Sequence, residues 1–476
     1  MSEQHAPKRH YCFVMAVEDA SLESSSVARN GASAVQRPPS ARRILLFGSL
    51  FSVLFYGLVF ISAAYLRHVS IDAAMSFWSN DFPRPMPVSA YPTPLGNHFF
   101  GDFLIPFRLA QQPSPYLAEG FVPFGYLPMS AVVLGPLTLL DYWWAFLAFM
   151  VVSISILMVA VWRSFPRQDK ISPALMVAFI LLSGPFVNAL DRGNIGLLMV
   201  SIMCLGVFAE VSGKRLLSGI CFGLAGAMKL YPAFLGAVFL NRGRVKTGVV
   251  MAITAVSCVV VPLLVYSGGW KENLFAMKNQ FAGSSNFLHA ERIHAFNNSF
   301  FALFHAMEMT QFPVIHGVGR MLVAHYYLVM LVVALLALSV ALHPRVPSLS
   351  KYVSCCVTMV FLPNIVGSYV LLIMLVPLLL GLATVSRTGE ALSRTTILQL
   401  HLLVLMLVPK GLPFPNPLAE WSQVESTFSS VLNPFLGFFL LMVSLVELVR
   451  VLISERFGIE RLRSDISLLG PGADLH

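Results

Sequence analysis

The chain has 476 residues, 57% of them hydrophobic and only 12% charged, with a formal net charge of +9. Soluble domains carry roughly a quarter charged residues, so this composition cannot cover a water-facing surface and excludes an ordinary soluble protein. The positive balance does not point to nucleic acid, because Lys and Arg fall in short stretches between apolar runs and in the tail from Arg450 to Arg463, with no compact basic face carrying stacking aromatics.

Residues 1–43 are polar and rich in Ser, Ala, Pro and Arg, without a periodic apolar face, and are expected to form a disordered cytoplasmic segment. The first long apolar run begins only at Ile44, too late for a signal-peptide core, so it reads as an uncleaved span. Arg37, Arg42 and Arg43 precede it and by the positive-inside rule hold the N-terminus in the cytoplasm. Residues 67–125 then fall on the exterior side. Their aromatics, among them Trp78, Tyr91, Phe103 and Phe107, suit short helices lying at the membrane interface.

Further apolar runs predict spans near 126–140, 143–162, 174–190, 195–211, 217–240, 247–265, 322–342, 352–365, 369–385, 397–408 and 431–453. With the first they make about twelve crossings, several shorter than the roughly 20 residues that cross a bilayer unbroken. The expected fold class is therefore all-α, a polytopic transmembrane helical bundle over 44–453, followed by a basic cytoplasmic tail over 454–476. The short alternating strands of a membrane barrel are absent. An even count returns the C-terminus to the cytoplasm, but it also puts Arg163, Arg167 and Lys170 outside, against the positive-inside rule, and so marks 126–162 as the stretch where the count is most open to error.

Six cysteines are dispersed, mostly within apolar runs, and read as small core residues rather than a disulfide framework. The stretch 97–128 is dense in Pro and aromatic residues, and Asp102 is its acid closest to apolar sequence. Gly-Asp ahead of an apolar run is an ordinary helix start; the same carboxylate is also a candidate general base. Lys229, in AGAMKLYPAF, is either a functional intramembrane charge or a side chain snorkelling to the interface. Asp191, Arg192 and Asn194, in NALDRGNIG, read as a polar break with a local ion pair. A second exterior loop, from 267 to about 312, gathers His289, Glu291, Arg292, His294, Asn297, Asn298 and Ser299. The histidines lack metal-site spacing, and no phosphate-cradling Gly loop is present, so neither a metal nor another cofactor is expected.

Four stretches, taken in order, resemble the family 87 glycosyltransferases, membrane mannosyltransferase-like enzymes of the C-type architecture. They are GDFLIPFRLAQQPSPY with GYLPMSAVVLGPLTLL, then DRGNIGLLMVSIMCLGVFA, LLSGICFGLAGAMKLYPAFLGAVFLNRGR and AFNNSFFALF. Lys229 to Pro232 matches the family's Lys-x-x-Pro best, whereas Tyr126, Leu127, Pro128 stands for Tyr-Pro-Pro, Arg192 to Asn194 is shifted around the Gly-Gln-x-Asn pattern, and Asn298 stands at a Gln. The resemblance implies inverting transfer of a hexose, mannose-like, from a polyprenyl-phosphate carrier to a hydroxyl of a lipid or glycan acceptor, on the exterior face of the cell (inner) membrane. It implies Asp102 as base; by charge or donor capacity Lys229, Arg292 and Asn298 are the candidates to meet the donor phosphate, together with Asn297 and with Tyr369, which stands where some members place a His, and Tyr126 and His294 are candidate acceptor or loop residues. The competing reading is a secondary transporter or lipid-linked-sugar flippase, which predicts paired mid-span charges and two related halves. Convergence of Asp102 and the 297–299 stretch on one cavity separates a catalyst from a scaffold.

Overall fold

The computed structural model describes residues 40–67, 101–118, 125–241, 243–289, 297–308, 310, 312–363, 366–389, 392–409 and 428–457. Every regular element among them is helical. In chain order they are α1 (Ser40–Arg67), α2 (Gly101–Ala110), α3 (Pro128–Leu134, extended by a 3-10 turn over Gly135–Leu139), α4 (Tyr142–Ser164), α5 (Ile171–Leu181), α6 (Gly184–Arg192), α7 (Gly196–Val211) and α8 (Arg215–Met228). A 3-10 turn over Tyr231–Leu235 leads into α9 (Gly236–Phe239), followed by α10 (Val245–Val265), α11 (Trp270–His289), α12 (Phe300–Glu308), α13 (Pro313–Ala324), α14 (Tyr326–Leu342) and α15 (Ser348–Phe361). A 3-10 stretch over Ser368–Met374 runs into α16 (Leu375–Thr388), and α17 (Arg394–Leu407) and α18 (Phe428–Phe457) complete the described chain. The expected N-terminal segment up to residue 39, most of the first exterior loop and the tail beyond 457 lie outside the described residues.

Helices α4, α10, α18 and the continuous stretch Ser368–Thr388 are long and apolar enough to cross a membrane, giving four such helices, or up to six when α5 with α6 (bent by 57°) and α13 with α14 (bent by 80°) each count as one span. The expected count of about twelve is not established by these lengths. Its stretches are helical, but α8, α15 and α17 have 14 residues each and α7 has 16, below the roughly 20 of an unbroken crossing. On α10 the exposed residues Val249, Ile253, Val256, Val260 and Leu264 recur every three to four positions, and Phe435, Phe438, Met442, Val446 and Val449 do the same on α18. Apolar stripes of this length on an outer surface match lipid, not water. Helix α15, by contrast, is buried on every side and forms the centre of the bundle together with the start of α16.

Polar contacts gather at one end of the bundle. Arg42 at the start of α1 pairs with Asp169 before α5 at 3.0 Å, and Ser386 of α16 donates to the same carboxylate at 2.8 Å. Burial pushes the Asp169 carboxyl up, but hydrogen bonds from Ser172 and Ser386 and the Arg42 guanidinium outweigh it and hold the group at about 2. Arg387 donates to the carbonyls of Ser164 and Val211, the last turns of α4 and α7. Nearby, Arg244 before α10 pairs with Glu210 of α7 at 2.9 Å, Asn241 donates to the Ala341 carbonyl of α14, and Arg345 pairs with Glu455 of α18.

These contacts correct the count of crossings in two places. The loop carrying Arg163, Arg167 and Lys170 lies at the same end as Arg42, because the helical stretch from Pro128 to Leu139 does not cross. It starts where the Leu127 amide meets the Met228 carbonyl, and it hands over to Tyr142, whose ring packs on Phe103 of α2 at that same opposite end. Helix α4 runs between the two ends instead, its 23 residues spanning about 34 Å. The stretch expected as one span over 217–240 is also broken. It rises as α8, stops at Lys229 and returns through α9 to the basic end, where Arg244 meets Glu210.

Helix α10 packs alongside α8 in the same direction, and glycines set their separation. A Cβ on Gly219 would stand 2.7 Å from the Thr247 carbonyl oxygen, and one on Gly223 2.7 Å from that of Met251. Four residues apart on one helix face, they are a small-xxx-small contact that lets two backbones approach in lipid. Gly223→Val is expected to cost about 1–3 kcal/mol, the range for overpacking a tight interface, read as a lowered midpoint of thermal unfolding in detergent. An unchanged midpoint contradicts the close approach. For the topology, cysteines placed at Arg43 and Lys170 are expected to react with an impermeant thiol reagent from the same side of a sealed membrane, and one at Asp141 from the other. Labelling of positions 43 and 170 from opposite sides overturns the corrected topology.

Candidate active site

The opposite end of the bundle holds the candidate site, and its acid arrives on α2. Phe103 and Phe107, one turn apart, stack on each other and press onto α4, Phe103 meeting Tyr142, Phe146 and Phe149. With that face buried, Asp102 in the first turn of α2 is turned toward the junction of α6 and α7. Its Oδ2 accepts from Arg192 Nε and from Asn194 Nδ2, both at 2.8 Å, and Arg192 Nη2 approaches Oδ1 at 3.5 Å. The pair is recessed but reachable, with the Asp102 side chain 24% exposed and that of Arg192 23%.

The junction is built by one backbone reversal. Helix α6 ends at Arg192, Gly193 adopts the left-handed conformation (φ 64°), and the amides of Gly193 and Asn194 return to the carbonyls of Leu190 and Ala189. This glycine-capped helix end brings Arg192 and Asn194, two positions apart, onto the same carboxylate. Asn194 Oδ1 accepts the Gly196 amide at 2.7 Å and so starts α7. A Cβ on Gly196 would sit 2.8 Å from that oxygen, so a larger residue there displaces Asn194.

Lys229 enters from the break after α8, where the backbone is extended. The carbonyl freed at Met228 is taken by the Leu127 amide and the Ser130 hydroxyl, which ties the break to the loop carrying Tyr126. The Lys229 ammonium lies 3.5 Å from Asn194 Oδ1 and stands over the rings of Tyr126 at 4.9 Å, Tyr369 at 5.5 Å and Tyr231 at 5.8 Å. Among the described residues it meets no carboxylate within ion-pair distance; the more distant Asp102 carboxylate and three ring faces compensate its charge. The Tyr369 ring is shared, with the Arg192 guanidinium 5.4 Å from its centre.

Tyr369 is held by the residues expected to bind phosphate. Asn297 Oδ1 accepts from the Val366 amide at 2.9 Å, the Asn298 amide donates to the Val366 carbonyl at 2.8 Å, and Asn298 Nδ2 reaches Ser368 Oγ at 3.2 Å. Asn433 of α18 donates to Asn298 Oδ1 at 3.0 Å. Asn297 and Asn298 are both buried, and these bonds make them a brace under residues 366–368. At Gly367 a Cβ would stand 2.6 Å from the Tyr369 ring, so the turn also needs a residue without one.

The structure thus brings together Asp102, Lys229, Tyr126 and Tyr369, and connects Asn297 and Asn298 to them through the 366–369 segment. Arg292 and His294 lie outside the described residues. Three further residues belong to the cluster: Arg192, Asn194 and Tyr231. The sequence reading had Arg192 in a local ion pair; its carboxylate partner is Asp102, 90 positions away. The signal for it was an Arg flanked by two apolar stretches, a costly placement without a function or a partner. Burial pushes the Asp102 carboxyl up, but Arg192, the Asn194 amide and Lys229 together bring it below the ordinary 3.8, so the group is ionised at neutral pH. Two cations against one carboxylate leave the cluster with positive charge for an anion. Among the described residues, no group of three or more His, Cys, Asp or Glu side chains gathers to hold a metal.

The profile of glycosyltransferase family 87 matches residues 124–363, a stretch that carries Tyr126, Arg192, Asn194, Lys229, Asn297 and Asn298, while Asp102 and Tyr369 flank it on either side. No curated protein matches the chain. The matched stretch covers half of the chain and contains most of the cluster, and with its apolar helices it makes this protein a membrane glycosyltransferase: the chain belongs to glycosyltransferase family 87.

Proposed function

We propose that the protein transfers a hexose, mannose-like, from a polyprenyl-phosphate carrier to an acceptor hydroxyl, with Asp102 as the general base. The observation that carries this reading is the meeting of an ionised carboxylate with two cations, Arg192 and Lys229, in one recessed cluster at one end of a lipid-facing bundle. A sugar hydroxyl is a poor nucleophile, and a fixed carboxylate accepts its proton as the new bond forms. In this step the acceptor oxygen bonds to the anomeric carbon, the bond from that carbon to the phosphate oxygen breaks, and the pair of electrons leaves with polyprenyl phosphate. The proton ends on Asp102, and attack opposite the leaving group inverts the anomeric configuration. Charge developing on the phosphate is met by Lys229, with Asn297 and Asn298 acting through the brace that fixes Tyr369.

A lipid-borne donor accounts for a transferase site set into a bundle with lipid-facing stripes, since the polyprenyl chain stays in the bilayer. The orientation we propose has both termini in the cytoplasm of a cell with the site on the exterior, periplasmic face of the inner membrane. It is supported by the gathering of Arg42, Arg163, Arg244, Arg345, Lys351 and Arg387 at the end away from Asp102. The chain then passes between the two ends about twelve times, the two arms of the 215–241 hairpin counting as short passes and α3 as none.

Asp102→Asn is expected to lower the turnover of purified, reconstituted protein by about a hundredfold or more, the usual weight of a general base, while the variant still folds with a lowered midpoint of thermal unfolding, because Arg192 loses its charged partner. A variant that keeps most of its turnover removes the base from the mechanism. The donor is checked by giving the protein polyprenyl-phosphate hexose and a membrane acceptor extract with excess chelator. Transfer is expected to persist, because a monophosphate leaves less charge to neutralise than a diphosphate and Lys and Arg donors suffice. Transfer from a nucleotide sugar alone, or transfer restored only by magnesium or manganese, contradicts this assignment.

A further inference from the structure

Arg192 does more than orient the acid. Its guanidinium lies between two demands: the Asp102 carboxylate, which it grips through Nε at 2.8 Å, and the face of Tyr369, on which it rests 5.4 Å from the ring centre. Lys229 lies 5.5 Å from the centre of the same ring, so both cations of the cluster share one aromatic platform. The grip on Asp102 is uneven, since the second contact, Nη2 to Oδ1, is 3.5 Å, and the side chain keeps 23% of its surface exposed. A guanidinium has five N–H donors in a rigid fork that matches phosphate as well as carboxylate. It can therefore swing its outer edge to a phosphate while it slides over the ring.

The carboxylate has the opposite problem. Asn194 and Arg192 both donate to Oδ2, the oxygen that is best fixed in place. A carboxylate held by two donors and a full positive charge is a weak proton acceptor. It gains basicity when the cation is drawn elsewhere, and the negative group of a bound donor is able to draw it.

We propose that Arg192 is a phosphate ligand held in reserve: paired with Asp102 in the arrangement seen, it is taken over by the phosphate of the lipid-linked donor, so that arrival of the donor releases the base. The proposal rests on the transferase reading above. It names a substrate-binding role for the last residue of α6, and it makes donor binding the event that arms the acid. Asp102 and the phosphate then compete for one guanidinium, which has a consequence contrary to intuition. Removing the acid frees Arg192 and tightens the binding of phosphate.

The test is a double-mutant cycle on binding, read by calorimetry in detergent with farnesyl phosphate as the probe, on the full-length protein. Asp102→Asn is expected to bind the probe about fivefold tighter than the wild type, and Arg192→Gln about tenfold weaker. In the Asp102→Asn, Arg192→Gln double variant the gain from removing the acid is expected to vanish. A gain of the same size in both backgrounds means simple removal of negative charge and overturns the proposal, as does Arg192→Gln binding like the wild type. Should Arg192→Gln fail to fold, Arg192→Lys replaces it in the cycle. Lys keeps the charge without the fork, so the gain is expected to shrink to half or less, and a full gain overturns the proposal. The outcome is separable from the base assignment: a turnover assay that finds Asp102→Asn active defeats the base and leaves this cycle intact, while an inactive Asp102→Asn variant with an additive cycle defeats only the role of Arg192.

Discussion

An ion pair between Asp102 and Arg192, recessed among apolar helices, is the contact on which the site depends. Recessed charges are costly to desolvate, and losing one partner leaves the other uncompensated, so the two residues constrain each other and the elements that carry them. That single contact fixes α2, a ten-residue helix, against the joint of α6 and α7. Asn194 then extends the network to the start of α7 and to the Lys229 ammonium, so four chain segments meet on one carboxylate and its neighbours.

The geometry needs helices that stop short. Helix α6 ends in a left-handed Gly193, α8 breaks at Lys229, and the polypeptide re-enters helical geometry through a 3-10 stretch at Ser368. Each break leaves backbone groups that lipid cannot satisfy, and each is closed from inside the protein: Met228 by Leu127 and Ser130, Val366 by Asn297 and Asn298. Irregular backbone at membrane depth is tolerated only where protein covers it. The site is therefore assembled where the helices are broken, and the intact helices, α4 and α10 among them, hold it at a fixed distance from the basic end.

Much of this is legible in the sequence. Composition required a helical membrane protein, Asp102 stood out as an acid beside apolar sequence, and Lys229 as a charge within it. Arg192 was misread because its sequence neighbour Asp191 offers a nearer carboxylate, and the pairing with Asp102 depends on a Gly193 turn and on α2 packing its Phe103 face on α4. The position of the Arg163 loop was misjudged for a related reason. A run of apolar residues over 126–140 has the composition of a span, and only the tethering of its two ends, Leu127 to Met228 and Tyr142 to Phe103, reveals that it stays at one face. Asn297 and Asn298 look like ligand donors in sequence, and their part as a brace emerges only once residues 366–368 come alongside.

The claim that joins these parts is that the carboxylate of α2 faces the anomeric carbon of a lipid-borne sugar. The most direct measurement is an experimental structure with a polyprenyl phosphonate hexose, whose carbon-linked phosphorus cannot leave. The account predicts the phosphonate oxygens within hydrogen-bond distance of Lys229, and the anomeric carbon turned toward Asp102 with space between them for one hydroxyl oxygen, about 3 Å from each. A sugar bound at the opposite end of the bundle beside Arg244 and Lys351, or one with Asp102 on the same side of the anomeric carbon as the phosphonate, would contradict it.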